Sequence, residues 1–123
     1  MSGRDRAGAL AFGLNAETIG ALWLRMKFYK ILEQRYRIRE GEIDIIAARG
    51  ATIAFVEVKA RPTMDEAMIS ISAQKRQRIS RAARHWVATH PWAVNRILRG
   101  DALFIAPNSL PRHVPAAVEL DLG

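Results

Sequence analysis

The sequence contains no cysteine, and this absence excludes disulfide frameworks, thiolate zinc sites and cysteine nucleophiles. It also fits a cytoplasmic protein, because disulfides accumulate in oxidising compartments. No apolar run approaches the ~18 residues that a membrane-spanning helix needs, and no glycine-rich phosphate loop is present, which argues against ATP use. The first 14 residues resemble a short signal peptide but lack a clear cleavage site, so we expect them to lead into a helix.

Acidic residues are fewer than basic ones. Twelve Asp and Glu stand against 19 Lys and Arg, and the formal net charge is +7. Most of the basic residues are arginines, whose guanidinium groups bind phosphate through two parallel hydrogen bonds. The composition therefore favours a polyanionic partner such as nucleic acid. A solvated basic surface, produced by an arginine-rich genome, is the alternative that charge alone leaves open.

The chain has 123 residues, half of them apolar, and shows neither internal repeats nor a flexible linker. This length is typical of one domain that buries its own core. Hydrophobic periodicity predicts a single α/β domain over residues 1–123, with a mixed central sheet flanked by helices. The expected elements, in chain order, are a helix over 10–29, strands over 31–38, 42–48 and 52–60, a loop over 62–70, a helix ending near 89, a strand over 101–106 and a short edge strand reaching 118.

The two helices differ in what their apolar stripes carry. On the first, Leu14, Ala21, Leu24 and Phe28 recur at helical spacing, and Glu17 falls on the same stripe, where a carboxylate is costly unless it is paired. The second helix, capped by Ser70 or Ser72, has a conventional stripe. Its apolar positions are Ile79, Ala82, Ala83, Trp86 and Val87.

Three charged residues lie inside apolar strands: Asp44 in one, and Glu57 and Lys59 in the next. A two-residue turn at Arg49-Gly50 would place Asp44 across from Phe55 and diagonal to Glu57 on the same face. Two carboxylates in an apolar setting repel each other, and a divalent cation removes that conflict. Oxygen ligands without His or Cys favour Mg²⁺ or Mn²⁺.

The combination of Asp44, Glu57, Lys59 and a metal ion suits phosphodiester hydrolysis. The cation would lower the pKa of water and offset charge in the transition state, and the lysine would orient the nucleophile or neutralise the phosphate. A surface ion pair between Glu57 and Lys59, with Asp44 at an exposed edge, is the structural alternative.

The run GEIDIIAARGATIAFVEVKAR (41–61) resembles the signature of the YraN-like proteins. These are small bacterial proteins with a restriction-endonuclease-like fold, similar to archaeal Holliday-junction resolvases. The resemblance extends upstream through Gly13, Glu17, Trp23-Leu24 and Phe28, and downstream through residues 73–87 and the Arg99-x-Asp101 element. One departure is Lys27, which stands where a glycine usually ends the family's first helix.

The resemblance implies that Asp44, Glu57 and Lys59 occupy nuclease-site positions and that Glu17 approaches the metal from the helix. The Val58 carbonyl would assist as a ligand. The implied activity is magnesium-dependent endonuclease cleavage of DNA, structured or branched. Because junction-cleaving enzymes of this fold commonly work as symmetric dimers, a homodimer is a further expectation. Two interpretations compete with this one. The first is a non-catalytic nucleic-acid-binding module, and the second is a protein-interaction subunit that is basic by genome bias alone.

Several residues are candidates for phosphate contact. Arg61 shares the strand face of Glu57 and Lys59, and Gln74 lies where related nucleases often carry a polar site residue. The second helix carries a row of cations outside its apolar stripe, which a solvated surface explains nearly as well. These are Lys75, Arg76, Arg78, Arg81 and Arg84. Trp23 and Trp86 are expected in the core, Trp92 is a weak base-stacking candidate, and the three histidines show no ligand spacing.

Overall fold

The computed structural model describes residues 15–69 and 71–123. The predicted helical residues 10–14, which include Gly13 and Leu14, and the alternative cap Ser70 lie outside the described residues. Helix α1 spans Ala16–Met26 and begins at Asn15, whose side chain accepts a hydrogen bond from the Thr18 backbone N–H.

Five strands form one mixed sheet in the order β1-β2-β3-β4-β5. Strand β3 is central, as its two apolar faces predicted. It pairs antiparallel with β2 and parallel with β4, and the other two pairs are antiparallel. The expected mixed sheet flanked by helices is thereby confirmed. The strand bounds are Lys30–Ile38, Gly41–Arg49, Thr52–Ala60, Ile97–Ile105 and Arg112–Val118.

Helices cover both faces of the sheet, so the described residues form three layers. Alternate residues of β3 divide between two cores: Ala54 and Val56 pack beneath α1, whereas Phe55 packs beneath α3. Helix α3 spans Ala73–Thr89, is capped by Ser72, and buries the predicted stripe, including Trp86. This architecture is compatible with a nuclease-like fold.

Helix α3 is held close to the sheet by a glycine. A Cβ built on Gly41 would lie 1.9 Å from the carbonyl oxygen of Arg78, so any larger residue would push the helix away. The close approach fixes the first half of α3 over β2 and β3. It thereby determines which residues of the helix reach the carboxylates described below.

Three expectations about element bounds are wrong. The first helix ends at Met26, and Phe28 is 86% exposed instead of lying on the buried stripe. The expected loop over 62–70 contains a short helix, α2 (Met64–Met68), capped by Thr63. Strand β4 begins at Ile97, four residues before the apolar run that predicted it.

No helix in the part of the chain that the structure describes is long and apolar enough to cross a membrane.

Candidate functional site

Asp44 and Glu57 are neighbours across the hairpin of β2 and β3. The regular ladder ends at the pair of Ile45 with Val56, and Asp44 and Glu57 are the residues that come next on the two strands. The two carboxyl groups lie close enough for Asp44 to affect the pKa of Glu57. The predicted diagonal placement, with Asp44 opposite Phe55, is wrong by two residues. The turn lies at Gly50-Ala51, because Arg49 already pairs with Thr52.

The Asp44 carboxylate is fixed by the strand that faces it. Its Oδ2 accepts a hydrogen bond from the Val58 backbone N–H at 2.8 Å. The Asp44 side chain thus accepts the hydrogen bond that a main-chain carbonyl accepts in a regular antiparallel ladder. The bond holds one carboxylate oxygen of the half-buried Asp44 beside β3, next to Glu57.

The Glu57 carboxyl group is buried, with 2% of the residue exposed. Burial, together with the neighbouring Asp44 carboxylate, raises the pKa of Glu57 to about 8, although Lys75 acts in the opposite direction. The Lys75 Nζ lies 3.1 Å from Glu57 Oε2, yet that buried oxygen has no hydrogen bond of acceptable geometry. Glu57 is therefore a buried acid with one oxygen left unsatisfied.

Lys59 lies two residues beyond Glu57 on the same face of β3. It pairs in register with Phe104, a residue of the core beneath α3, and is half-buried. Within the described residues Lys59 makes neither an ion pair nor a side-chain hydrogen bond. The Cα atoms of Glu57 and Lys59 are about 7 Å apart along the strand, so the two side chains emerge next to each other on one face.

Glu17 belongs to α1, whose buried residues pack on the core that contains Ala54 and Val56. It lies in the first turn of α1, and its Oε2 accepts a hydrogen bond from Arg35 Nε at 2.9 Å. The cost of a carboxylate on an apolar stripe is thus met by an ion pair. Among residues 15–69 and 71–123, no three His, Cys, Asp or Glu side chains lie close enough together to hold a metal ion.

The pair Asp44 and Glu57 nevertheless fits a divalent cation. Two carboxyl groups are neighbours there, and the buried Glu57 Oε2 has a charge contact with Lys75 but no hydrogen bond of acceptable geometry. Mg²⁺ is commonly held by one or two protein carboxylates and keeps several waters, so a third protein side chain is not required. The Val58 N–H is engaged by Asp44, and its half-buried side chain packs beneath α1.

The predicted phosphate-binding residues divide into two groups. Lys75 points at Glu57 and so belongs to the carboxylate pair, a role that its spacing in the sequence did not reveal. The others remain at the surface. Gln74, Arg76, Arg81 and Arg84 are exposed on α3, Arg78 is partly buried, and Arg61 is exposed just after β3.

A second charged cluster is centred on the middle of β4 and was not identified as such from the sequence. Asp101 is fully buried and accepts two hydrogen bonds from Arg99, at 2.7 and 2.8 Å. It also bonds His113 Nε2 at 2.7 Å and the Ala116 backbone N–H at 3.0 Å. The i, i+2 spacing of Arg99 and Asp101 on one strand face was the available signal.

The arrangement defines an α/β fold with two apposed carboxylates and a lysine on the central hairpin of a basic protein. The model of the uncharacterised protein family UPF0102 matches residues 16–105, and the chain belongs to that family. The resemblance to the YraN-like proteins is thereby confirmed.

Related sequences cover almost the whole chain. A UPF0102 protein of Methylocella silvestris is 64% identical over 119 residues, which are 97% of this chain and 96% of the relative. A UPF0102 protein of Methylorubrum extorquens is 50% identical, with 97% and 93% covered. One from Bradyrhizobium diazoefficiens is 49% identical, with 94% and 86% covered.

Proposed function

We propose that this protein is a metal-dependent endonuclease that hydrolyses phosphodiester bonds in DNA, with structured or branched DNA as the substrate. The observation that carries the proposal is the proximity of Asp44 to the buried Glu57, whose Oε2 contacts Lys75 without a hydrogen bond of acceptable geometry. Two neighbouring carboxyl groups in a buried setting repel each other when both are ionised, and either a proton or a bound cation relieves that repulsion.

Each residue of the site has a separate task in this reaction. Asp44 and Glu57 would hold Mg²⁺ or Mn²⁺, which would lower the pKa of water and offset negative charge on the phosphate. Lys59, on the same strand face, would bind a phosphate oxygen or orient the attacking water. Water attacks phosphorus, the bond from phosphorus to the leaving oxygen breaks, and that oxygen takes up a proton.

The surrounding charge supports a polyanionic substrate. Helix α3 presents exposed arginines on the same side of the sheet as Glu57, and the whole chain carries a formal charge of +7. Such a surface attracts the phosphate backbone irrespective of sequence. The homodimer implied by the resemblance stays a prediction, which the mass measured in solution by light scattering would test.

Cleavage of a DNA panel tests the proposal. Linear, flapped and four-way DNA are incubated with the wild type and Mg²⁺ or Mn²⁺, and we expect cleavage products. Asp44→Asn or Lys59→Ala should reduce the rate of cleavage at least about 100-fold. Glu42→Gln is the matched control, since Glu42 lies on β2 beside Asp44 and pairs with Arg37 instead. Equal rates for the wild type and both site variants would remove the catalytic proposal.

A second candidate is a non-catalytic nucleic-acid-binding module that keeps the fold. The contact between Lys75 and Glu57 favours it, because an internal ammonium already supplies positive charge to the buried acid. This function predicts salt-sensitive binding that persists in Glu57→Ala, with no products at any metal concentration. Thermal unfolding separates the two: a nuclease site should raise the melting temperature with Mn²⁺, and Asp44→Asn should abolish the shift.

A further inference from the structure

The turn that ends α1 contains an aromatic residue in an unfavourable setting. Phe28 has a φ of 70°, a left-handed conformation that bulky residues rarely adopt, and is 86% exposed. Its N–H donates to the Arg25 carbonyl, and the Tyr29 N–H donates to the Leu24 carbonyl. These two bonds form a Schellman motif, in which Phe28 occupies the position that usually belongs to glycine.

The Phe28 ring contributes little buried surface to the stability of the fold. A glycine would take the same backbone conformation without steric cost, whereas the Cβ of any other residue is strained there. The ring buries little apolar surface within the described residues, since 86% of Phe28 is exposed. A residue that is costly for the turn and also exposed to water is a candidate for contact with a partner.

Two cations belong to this turn or contact its backbone. The Arg49 guanidinium donates to the carbonyl of Lys27, which belongs to the peptide bond that precedes Phe28, and lies 4.4 Å from the Tyr29 ring centroid. Lys27 Nζ lies 2.6 Å from His113 Nδ1. Neither cation pairs with a carboxylate in the part of the chain that the structure describes.

The cations are held in place and crowd one another. His113 is fixed by the buried Asp101, so the contact from Lys27 is anchored in the core. Burial and the nearby Arg49 charge lower the pKa of Lys27, with Arg99 adding to the effect and Asp101 opposing it. A negatively charged group bound here would relieve this repulsion. Arg25 and Lys30 add exposed positive charge to the same turn.

We propose that the turn ending α1 binds single-stranded nucleic acid: Phe28 stacks on an unpaired base while the exposed Arg49 contacts an adjoining phosphate, with Lys27 adding positive charge from beneath the turn. An aromatic ring flanked by basic residues is how proteins bind single strands without sequence preference, and the bases of a duplex are not available for such stacking. The inference rests on the proposed function only in taking nucleic acid as the ligand. The turn that contains Phe28 lies on the α1 side of the sheet, whereas Lys75 lies on the α3 side.

Binding in EDTA tests this surface independently of cleavage. The probe is a fluorescein-labelled oligo-dT of 15 nucleotides, followed by anisotropy at low salt. We expect Phe28→Gly to weaken binding about tenfold, because one stacked base contributes about 1–3 kcal/mol. The same variant should keep or raise the melting temperature, since glycine suits the left-handed turn. Phe28→Tyr should bind within about twofold of the wild type.

Controls separate the ring from general surface effects. Leu110 is also an exposed apolar residue, and Leu110→Ala should leave binding unchanged. Phe28→Leu keeps an apolar side chain without a π-face and should behave like Phe28→Gly. Arg49→Met should reduce the salt slope of binding by about 0.7, the value for one phosphate contact with a single strand.

Three results would overturn the proposal. The first is unchanged single-strand binding in both Phe28→Gly and Phe28→Leu. The second is a loss of binding that accompanies a lower melting temperature, since that would give Phe28 a structural role. The third is Phe28-dependent sedimentation with anionic phosphatidylglycerol vesicles but no binding to oligo-dT. Because all binding is measured without metal, loss of the nuclease proposal alone would leave these outcomes unaffected.

Discussion

Two carboxyl groups are buried in the same sheet, and their surroundings differ. Asp101 is fully buried on β4 and accepts hydrogen bonds from Arg99, His113 and the Ala116 N–H. Glu57 is nearly as buried on β3, but its Oε2 has only an ion-pair contact with Lys75.

The pKa shifts follow this difference. Burial by itself raises the pKa of Asp101, but the hydrogen bonds from His113, Arg99 and Ala116 together outweigh it, and the pKa lies below its usual value. At Glu57 burial and Asp44 act in the same direction, and the pKa rises to about 8. A buried carboxyl group whose hydrogen bonds are complete is typical of a structural role, whereas a buried acid with a raised pKa and an unsatisfied oxygen is typical of a functional site.

Removing the Asp101 charge should cause the largest loss of stability. Asp101→Asn leaves Arg99 without its counter-charge and disrupts the bond to His113, so we expect the free energy of unfolding to fall by about 3–5 kcal/mol. Urea denaturation at pH 7 measures it. The exposed Asp121 is a matched control, because its contact with Arg84 is 4.0 Å long and Asp121→Asn should cost little. A loss below about 1 kcal/mol for Asp101→Asn would contradict a stabilising network.

The pH dependence of this contribution has a definite sign. The pKa of Asp101 is lower in the folded state than the ordinary value of 3.8. The folded protein therefore binds fewer protons than the unfolded chain in acid, and the stabilisation is complete above that value. It is lost as the pH falls through the folded-state pKa.

Replacing Glu57 should raise the free energy of unfolding at pH 8, whereas replacing Asp101 should lower it. The folded protein retains the Glu57 proton up to about pH 8, whereas the unfolded chain loses it near pH 4.5. The wild-type free energy of unfolding should therefore decrease between these two values. Glu57→Gln should remove that decrease and make the protein on the order of 1 kcal/mol more stable at pH 8. Urea denaturation at pH 5 and pH 8 gives the comparison.

A bound metal ion should turn the destabilising effect of Glu57 at pH 8 into a stabilising one. Mn²⁺ should stabilise the wild type at pH 8 and leave Glu57→Gln unchanged, because the amide cannot replace the anionic ligand. Glu42→Gln serves as the control, since it removes a carboxyl from the same hairpin without touching the pair. If Glu57→Gln were destabilising at both pH values, Glu57 would resemble Asp101, and the contrast between them would be lost.

The faces of the hairpin could be predicted from the sequence, but its exact register could not. Alternation puts Asp44 and Glu57 on one face for any register that shifts by an even number of residues. The shift of two residues arises because Gly50, with a φ of 60°, is the first residue of the turn instead of the second. Asp44 and Glu57 follow the last pair of the ladder, so they remain neighbours although the predicted register is wrong.

Other features depend on tertiary placement that periodicity does not contain. Lys75 reaches Glu57 because Gly41 lets α3 approach β2, and neither fact is visible in the pattern of apolar residues. The end of α1 was missed because Phe28 replaces the glycine that normally marks such a turn. Arg99 and Asp101 stood out only through the family resemblance.

The smallest effect is expected from Glu17, and it decides whether the site uses carboxylates from one face of the sheet or two. Its side chain pairs with Arg35, whose side chain is 59% exposed, so Glu17→Gln should cost at most about 1 kcal/mol. Mn²⁺ should stabilise this variant as much as the wild type, measured by thermal unfolding. Arg35→Gln is the control, because it breaks the same ion pair while keeping the carboxylate. If Glu17→Gln abolished the Mn²⁺ effect and Arg35→Gln did not, Glu17 would be a ligand, and the site would extend beyond Asp44 and Glu57 to the helix on the other face.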